Sequence, residues 1–166
     1  MRLQVKTIVL AAIATIAVCQ RGESKVVLVK DGYPQGSIVY GNAPADRQAA
    51  QLLQLFVERM SGAKMPVCPQ TTHASLSKGD VSVSTDPGNP LLQEDGAAVV
   101  TRKGHLEIRG GKGKGSLTGV VMLLERWLGC NYWSENEWTA PRRNTIVLPD
   151  IDFKENPAFR YRQTNN

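Results

Sequence analysis

Apolar residues recur along this chain with two periods, every second residue in several short runs and every three to four residues in two longer ones, a pattern that predicts strands and two helices. Val26-Val27-Leu28-Val29 reads as a strand and Ser37-Ile38-Val39-Tyr40 as another. The turn-forming Asp31-Gly32-Tyr33-Pro34-Gln35-Gly36 lies between them, so the pair is expected to form a hairpin. Ala49, Leu52, Leu53, Phe56, Val57 and Met60 make one apolar helical stripe, with Pro44 suited to the first turn and Gly62 to the stop. Arg47, Gln48, Gln51, Gln54, Glu58 and Arg59 take the other side, so this helix is expected to lie on a sheet with one flank wet.

Met65-Pro66-Val67 reads as a short extended piece, and the alternating Val81-Ser82-Val83-Ser84 as a strand. After the loop-forming stretch 86–90, segments 97–101 and 105–109 flank the turn Arg102-Lys103-Gly104 as a second hairpin. Leu106 and Ile108 are expected to face inward, and His105, Glu107 and Arg109 outward. A glycine-rich link, residues 110–116, leads into a helix over 117–128 that is apolar around most of its circumference, with Val120, Val121, Leu124 and Leu128 expected to pack deeply and Gly129 to close it. Residues 145–148 read as a closing strand. The predicted fold is α/β of the α+β kind, a mixed β-sheet of about five to seven strands carrying two main helices.

Composition agrees with one globular domain. The chain has 166 residues and 18.2 kDa, 42% hydrophobic and 21% charged. It is too short for a complete (β/α)₈ barrel, which takes about 250 residues. The formal charge of +5 is partly an N-terminal effect, because setting aside Arg2, Lys6, Arg21 and Glu23 leaves 17 basic against 14 acidic side chains. Lys112 and Lys114 form a local basic cluster too small to neutralise a run of phosphates, so a nucleic-acid partner is not expected.

Residues 1–24 read as a signal peptide: Arg2 and Lys6 precede the uncharged run 7–18, which has the length of a signal h-region and is too short for an ordinary membrane span. Ile16-Ala17-Val18-Cys19 resembles a lipobox, making Cys19 a candidate lipidation site and an N-terminal lipid a candidate membrane anchor. The expected location is therefore outside the cytoplasm, in the periplasm or at the outer membrane and cell surface. Export would allow Cys68 and Cys130 to pair, but they lack the spacing of a zinc site and also read as small buried thiols.

Candidate chemistry is sparse. The link 110–116, between a strand and a helix, has the layout of a phosphate cradle, yet it lacks the Gly-Lys-Ser/Thr of a P-loop and the register of a dinucleotide fingerprint. Ser116 has no nucleophile-elbow setting and reads as a helix cap. Glu135 and Glu137 are too close in a loop to flank a glycosidic bond, Asp150 and Asp152 read as a solvated loop, and His73 and His105 have no second ligand at metal spacing. No catalytic residue, metal or cofactor is expected. Seven of the ten aromatics lie from Trp127 onward, a clustering suited to sugar rings or to a domain interface.

Segment 113–133, GKGSLTGVVMLLERWLGCNYW, together with TIVLP at 145–149 and ENPAFRYR at 155–162, resembles the N-terminal domain of bacterial alpha-glucuronidases, a domain similar to the one preceding the barrel in beta-N-acetylhexosaminidases. MSGAKMPV at 60–67 is similar to another element of that domain, so the resemblance spans nearly all of 25–162. It implies a non-catalytic accessory domain (25–150), followed by a tether (151–166) into a catalytic barrel that bears the acid and base carboxylates and is absent from these 166 residues. Trp133, Trp138, Phe159 and Tyr161 are the implied contacts, with the barrel or with a sugar. The partners expected are the barrel of the parent chain and an oligo- or polysaccharide; the alternative function is a stand-alone envelope lipoprotein that binds glycans.

Overall fold

A computed structural model describes residues 25–73, 75–134 and 137–156, without the side chains of 132–134. Its elements run β1 (Val26–Lys30), β2 (Tyr33–Pro34), β3 (Ile38–Tyr40), α1 (Pro44–Ser61), β4 (Val67–Pro69), β5 (Val81–Thr85), β6 (Ala97–Arg102), β7 (His105–Gly110), α2 (Gly115–Arg126), β8 (Asn131–Ser134), β9 (Glu137–Thr139), β10 (Ile146–Leu148) and β11 (Asp152–Glu155). A six-stranded mixed sheet has the order β11-β6-β7-β5-β3-β4, a three-stranded sheet the order β10-β1-β2, and β8 pairs with β9. Both helices pack on one face of the six-stranded sheet, α1 on β3 and β5, α2 on β5, β6 and β7, and they touch each other. The six-stranded mixed sheet with its two helices is the expected α+β architecture, and the three- and two-stranded sheets add to it.

Alternation decides which face is buried. On β6 and β7, Val99, Leu106 and Ile108 are fully enclosed beneath the helices, while Ala98, Val100, Glu107 and Arg109 lie on the far face. The β6–β7 hairpin forms as predicted, reversing through Lys103 and Gly104, both at positive φ. Helix α1 also matches its sequence: Pro44 opens it, Gly62 ends it at φ 77, and Ala49, Ala50, Leu53, Phe56, Val57 and Met60 are buried. The Asp46 carboxylate, itself buried, accepts the Ala43 N–H (3.2 Å) and the Thr85 hydroxyl (2.6 Å), anchoring the first turn to β5.

The first predicted hairpin does not form. Asp31 and Gly32 do reverse the chain, at φ 51 and 81, but β1 pairs only with the two-residue β2 and, on its other edge, with β10. Pro34 offers no N–H to extend the ladder, and Gly36 then passes so close to Gly79 that a Cβ there would lie 2.5 Å from the Asp80 nitrogen. The chain thus crosses into the larger sheet, where β3 runs parallel to β4 and β5.

Residues 152–155, expected in the tether, instead form the edge strand β11, antiparallel to β6. Few apolar anchors are needed there: Phe153 packs edge-on to Trp127 (5.5 Å between centroids), and Arg126 lies over the Phe153 ring while pairing with Glu155 at 2.5 Å. Beyond β11, the Asn156 side chain accepts the Gln93 N–H and donates to the Leu91 carbonyl, fastening loop 89–96 to the chain at this point. The remainder of the expected tether, from residue 157, lies outside the described residues, as does the expected signal segment 1–24.

Candidate functional site

The sheet covers one flank of each helix and leaves another apolar row on each. Gln48, Leu52 and Phe56 follow one another at four-residue spacing on α1, as do Leu117, Val121 and Glu125 on α2. These rows line a groove between the helices with a cavity of about 630 Å³, floored by Leu124 and the buried Cys130. Val121, expected deep in the core, is half-buried at this groove instead, because α2 has more apolar circumference than one sheet can cover. On α1, Leu55, outside the predicted stripe, is 41% exposed.

Next to the groove, β9 lays Trp138 against α1. Phe56 meets its ring edge-on at 5.1 Å between centroids, and the Arg59 guanidinium carbon lies 3.3 Å from the ring centroid. One face of the indole is thus already covered by a cation, which leaves that face no room for a sugar ring. Leu55, Glu58, Arg59, Trp138 and Arg142 line a shallow, open cavity of about 760 Å³ beside it. The face therefore joins an apolar groove to a shelf bearing two arginines. Cys130, at the groove floor, has its thiol pKa pushed up by burial, with Arg143 opposing, and its Sγ lies 3.6 Å from the Met60 sulfur.

Of the aromatics singled out by the sequence, Trp138 is on this face; Trp133 lies in β8 with its side chain outside the description, and Phe159, Tyr161 and the candidate lipidation residue Cys19 lie outside the described residues. Cys68 and Cys130 are both free thiols. The sequence missed Leu55, Leu117 and Arg59 as members of a surface. Their signal was available only in part: α2 is too apolar for a helix with one covered flank, whereas Arg59 reads as an ordinary solvated charge.

The glycine link is not an open cradle. Gly113 N–H donates to the Glu94 carbonyl, Lys114 N–H to the Asp95 carboxylate at 2.8 Å, and Gly111 N–H to the Gly96 carbonyl. Three of the link's amides are thus satisfied by loop 93–96, one of them by a carboxylate that is itself an anion. Ser116 does not cap the helix as expected; it lies inside α2, fully buried, with no hydrogen-bond partner for its Oγ. On the sheet's far face, Glu107 bridges His105 (3.2 Å) and Arg109 (2.6 Å). Glu137 is exposed, Asp150 accepts the Thr101 hydroxyl, and Glu135 lies outside the description. Among the described residues no three His, Cys, Asp or Glu side chains gather to hold a metal.

No family model and no curated sequence matches the chain. Solved structures do. The N-acetyl-beta-hexosaminidase of Streptomyces plicatus superposes with a TM-score of 0.59 at 12% identity, over 85% of this chain and 25% of its own. The GH20 exo beta-N-acetylglucosaminidase of Vibrio harveyi does so at 0.52 and 14%, over 83% and 18%. A GH115 4-O-methyl-alpha-glucuronidase gives 0.53 and 21%, over 78% and 18%. The present chain thus spans a quarter or less of these enzymes. It has the α+β fold of a glycoside hydrolase N-terminal domain.

Proposed function

We propose that this chain is the non-catalytic accessory domain of a carbohydrate-active enzyme, a glycoside hydrolase of the alpha-glucuronidase or hexosaminidase kind, and that it supports a catalytic barrel following it in the parent polypeptide. The observation that carries this reading is the groove between α1 and α2. A domain whose helices already rest on a sheet has no use of its own for a second apolar row on each, and a large neighbouring domain would cover both rows at once. Similar domains account for 18–25% of their enzymes, leaving the remainder for the catalytic part. Trp138, held by Phe56 and Arg59, would stiffen the rim of that contact, with Trp133, Phe159 and Tyr161 as further candidate contacts.

Two measurements test it. The purified chain should release no p-nitrophenol from a panel of aryl glycosides; measurable turnover would overturn the non-catalytic reading. An antibody against residues 25–156 should detect a native product far larger than 18.2 kDa in cell extract, and a band at or below that mass would overturn the attached barrel. Export through segment 1–24 with acylation of Cys19, giving a product at the cell envelope, belongs to the same proposal. The mass of the mature N-terminus decides between a lipidated cysteine and plain cleavage.

A further inference from the structure

Away from the helix face, at the opposite edge of the six-stranded sheet, three reactive side chains stand in line. Cys68 lies in the edge strand β4, half-buried, and its Sγ is 3.8 Å from His73 Nδ1. His73 Nε2 lies 3.2 Å from the Asp80 carboxylate, with the imidazole side chain 26% exposed and the carboxylate 5%. Asp80 is held firmly, accepting the Ser37 and Ser77 N–H groups at 2.7 Å each. Burial alone would raise its pKa, but these two amides and His73 outweigh burial, and the net shift is downward, so it is a carboxylate at neutral pH. A carboxylate at Nε2 requires the proton on that nitrogen, which leaves Nδ1 as the acceptor facing the thiol.

The order of atoms matters. Ligands of a metal converge on a point, whereas here the imidazole lies between sulfur and carboxylate and uses a different nitrogen toward each. That is the layout of a proton relay. Burial, and then the Asp80 charge, push the Cys68 thiol up, so the sulfur rests as a thiol that loses its proton only as it reacts. The Ile38 carbonyl oxygen, 3.9 Å from Sγ, is a second acceptor for the thiol proton. Exchange with a disulfide develops no oxyanion and needs only removal of one proton and its return to the leaving sulfur.

We propose that Cys68 is a modification site for thiol–disulfide exchange with small-molecule disulfides, with His73 as general base and Asp80 as the residue positioning it. As Sγ attacks one sulfur of the disulfide RSSR, its proton passes to His73 Nδ1; the Sγ–S bond forms, the S–S bond breaks, and the departing thiolate takes the proton from Nδ1. The products are Cys68–S–SR and RSH, and the small disulfide is the oxidant. Asp80 and His73 are the titratable groups acting on the thiol among the described residues. Cys130, 2% exposed, is the internal control.

The test incubates the full-length chain with glutathione disulfide and maps the adduct by peptide mass. Cys68 should be modified while Cys130 is spared, with a rate at pH 7 well above the one set by the small thiolate fraction of a thiol raised by burial and the Asp80 charge. His73→Gln should slow Cys68 at pH 7 by about tenfold or more, since general-base assistance typically contributes 10²–10⁴-fold. Asp80→Asn should lower the rate at pH 7 but, by removing the charge that raises the Cys68 thiol, maintain or raise the rate in alkali, where thiolate reacts unaided; equal loss in both regions would overturn its positioning role. An unchanged rate in His73→Gln would overturn the relay. So would a wild-type profile that follows thiol ionisation alone, a measurement that needs no folded variant.

Discussion

The two helices occupy equivalent places on the sheet yet are specified in different ways. Helix α1 carries its own instructions: proline at the start, Asp46 reaching back to the Ala43 amide, an apolar stripe, and glycine at the end. Helix α2 carries almost none. The amides just ahead of it, on Gly113 and the N-cap Lys114, donate to Glu94 and Asp95 from a loop some twenty residues earlier. Glycines in it and beneath it serve contact rather than flexibility: Gly119 in α2 lies where a Cβ would be 2.5 Å from an Ile108 methyl, and a Cβ on Gly110, the last residue of β7, would overlap the Ser116 backbone nitrogen. The locally specified helix reads from sequence to its ends. The helix specified by its surroundings reads only as an apolar run, expected over 117–128 and found over Gly115–Arg126.

The sharpest way to break this contrast is at the glycines. Gly110→Ala should destabilise by upwards of about 4 kcal/mol in urea melts, because backbone must move to admit one methyl. Gly62→Ala, at positive φ but with open space around it, should cost only about 1–2 kcal/mol. If the two cost the same, α2 is no more dependent on its surroundings than α1. Leucine truncation should not discriminate: Leu53→Ala and Leu123→Ala, each fully buried in one helix, should both lose about 2–5 kcal/mol in the same melts.

Smaller effects test the helix starts. Asp46→Ala should cost about 2 kcal/mol, the cap together with a stranded Thr85 hydroxyl, and the half-buried Asp95→Ala about 1 kcal/mol, both read as shifts in thermal midpoint. The smallest change is expected for Arg126→Ala. Its ion pair with Glu155 is largely exposed and screened, so the loss should stay within about 1 kcal/mol and shrink with added salt.

The same distinction explains what the sequence made legible. The β6–β7 hairpin was readable because both its turn and its alternation are local. The turn after β1 was readable too, but its partner was not, since β1 closes on Ile146, Val147 and Leu148, more than a hundred residues away. Strand β11 was hidden because Asp152 and Lys154 face outward and only Phe153 signals packing. At the candidate face, Leu52 and Phe56 were visible as part of a stripe. That their row continues across to Leu117 and Val121 is a fact of helix docking, which no local pattern contains. For the Cys68, His73 and Asp80 line, short spacing in the chain hid the signal, because a cysteine, a loop histidine and an aspartate each look ordinary alone.

The pairing of β1 with β10 sets a timetable. During synthesis Val26 leaves the ribosome long before its partner Leu148 exists, so the first strand must wait with its apolar residues uncovered while β3 to β7 and both helices are made. A contact spanning so much of the chain is slow to close and leaves an aggregation-prone strand exposed in the interval. The small sheet is therefore among the last parts of the described domain to assemble, followed in chain order only by the edge strand β11, and a holding chaperone would find its target at the N-terminal end of the nascent domain.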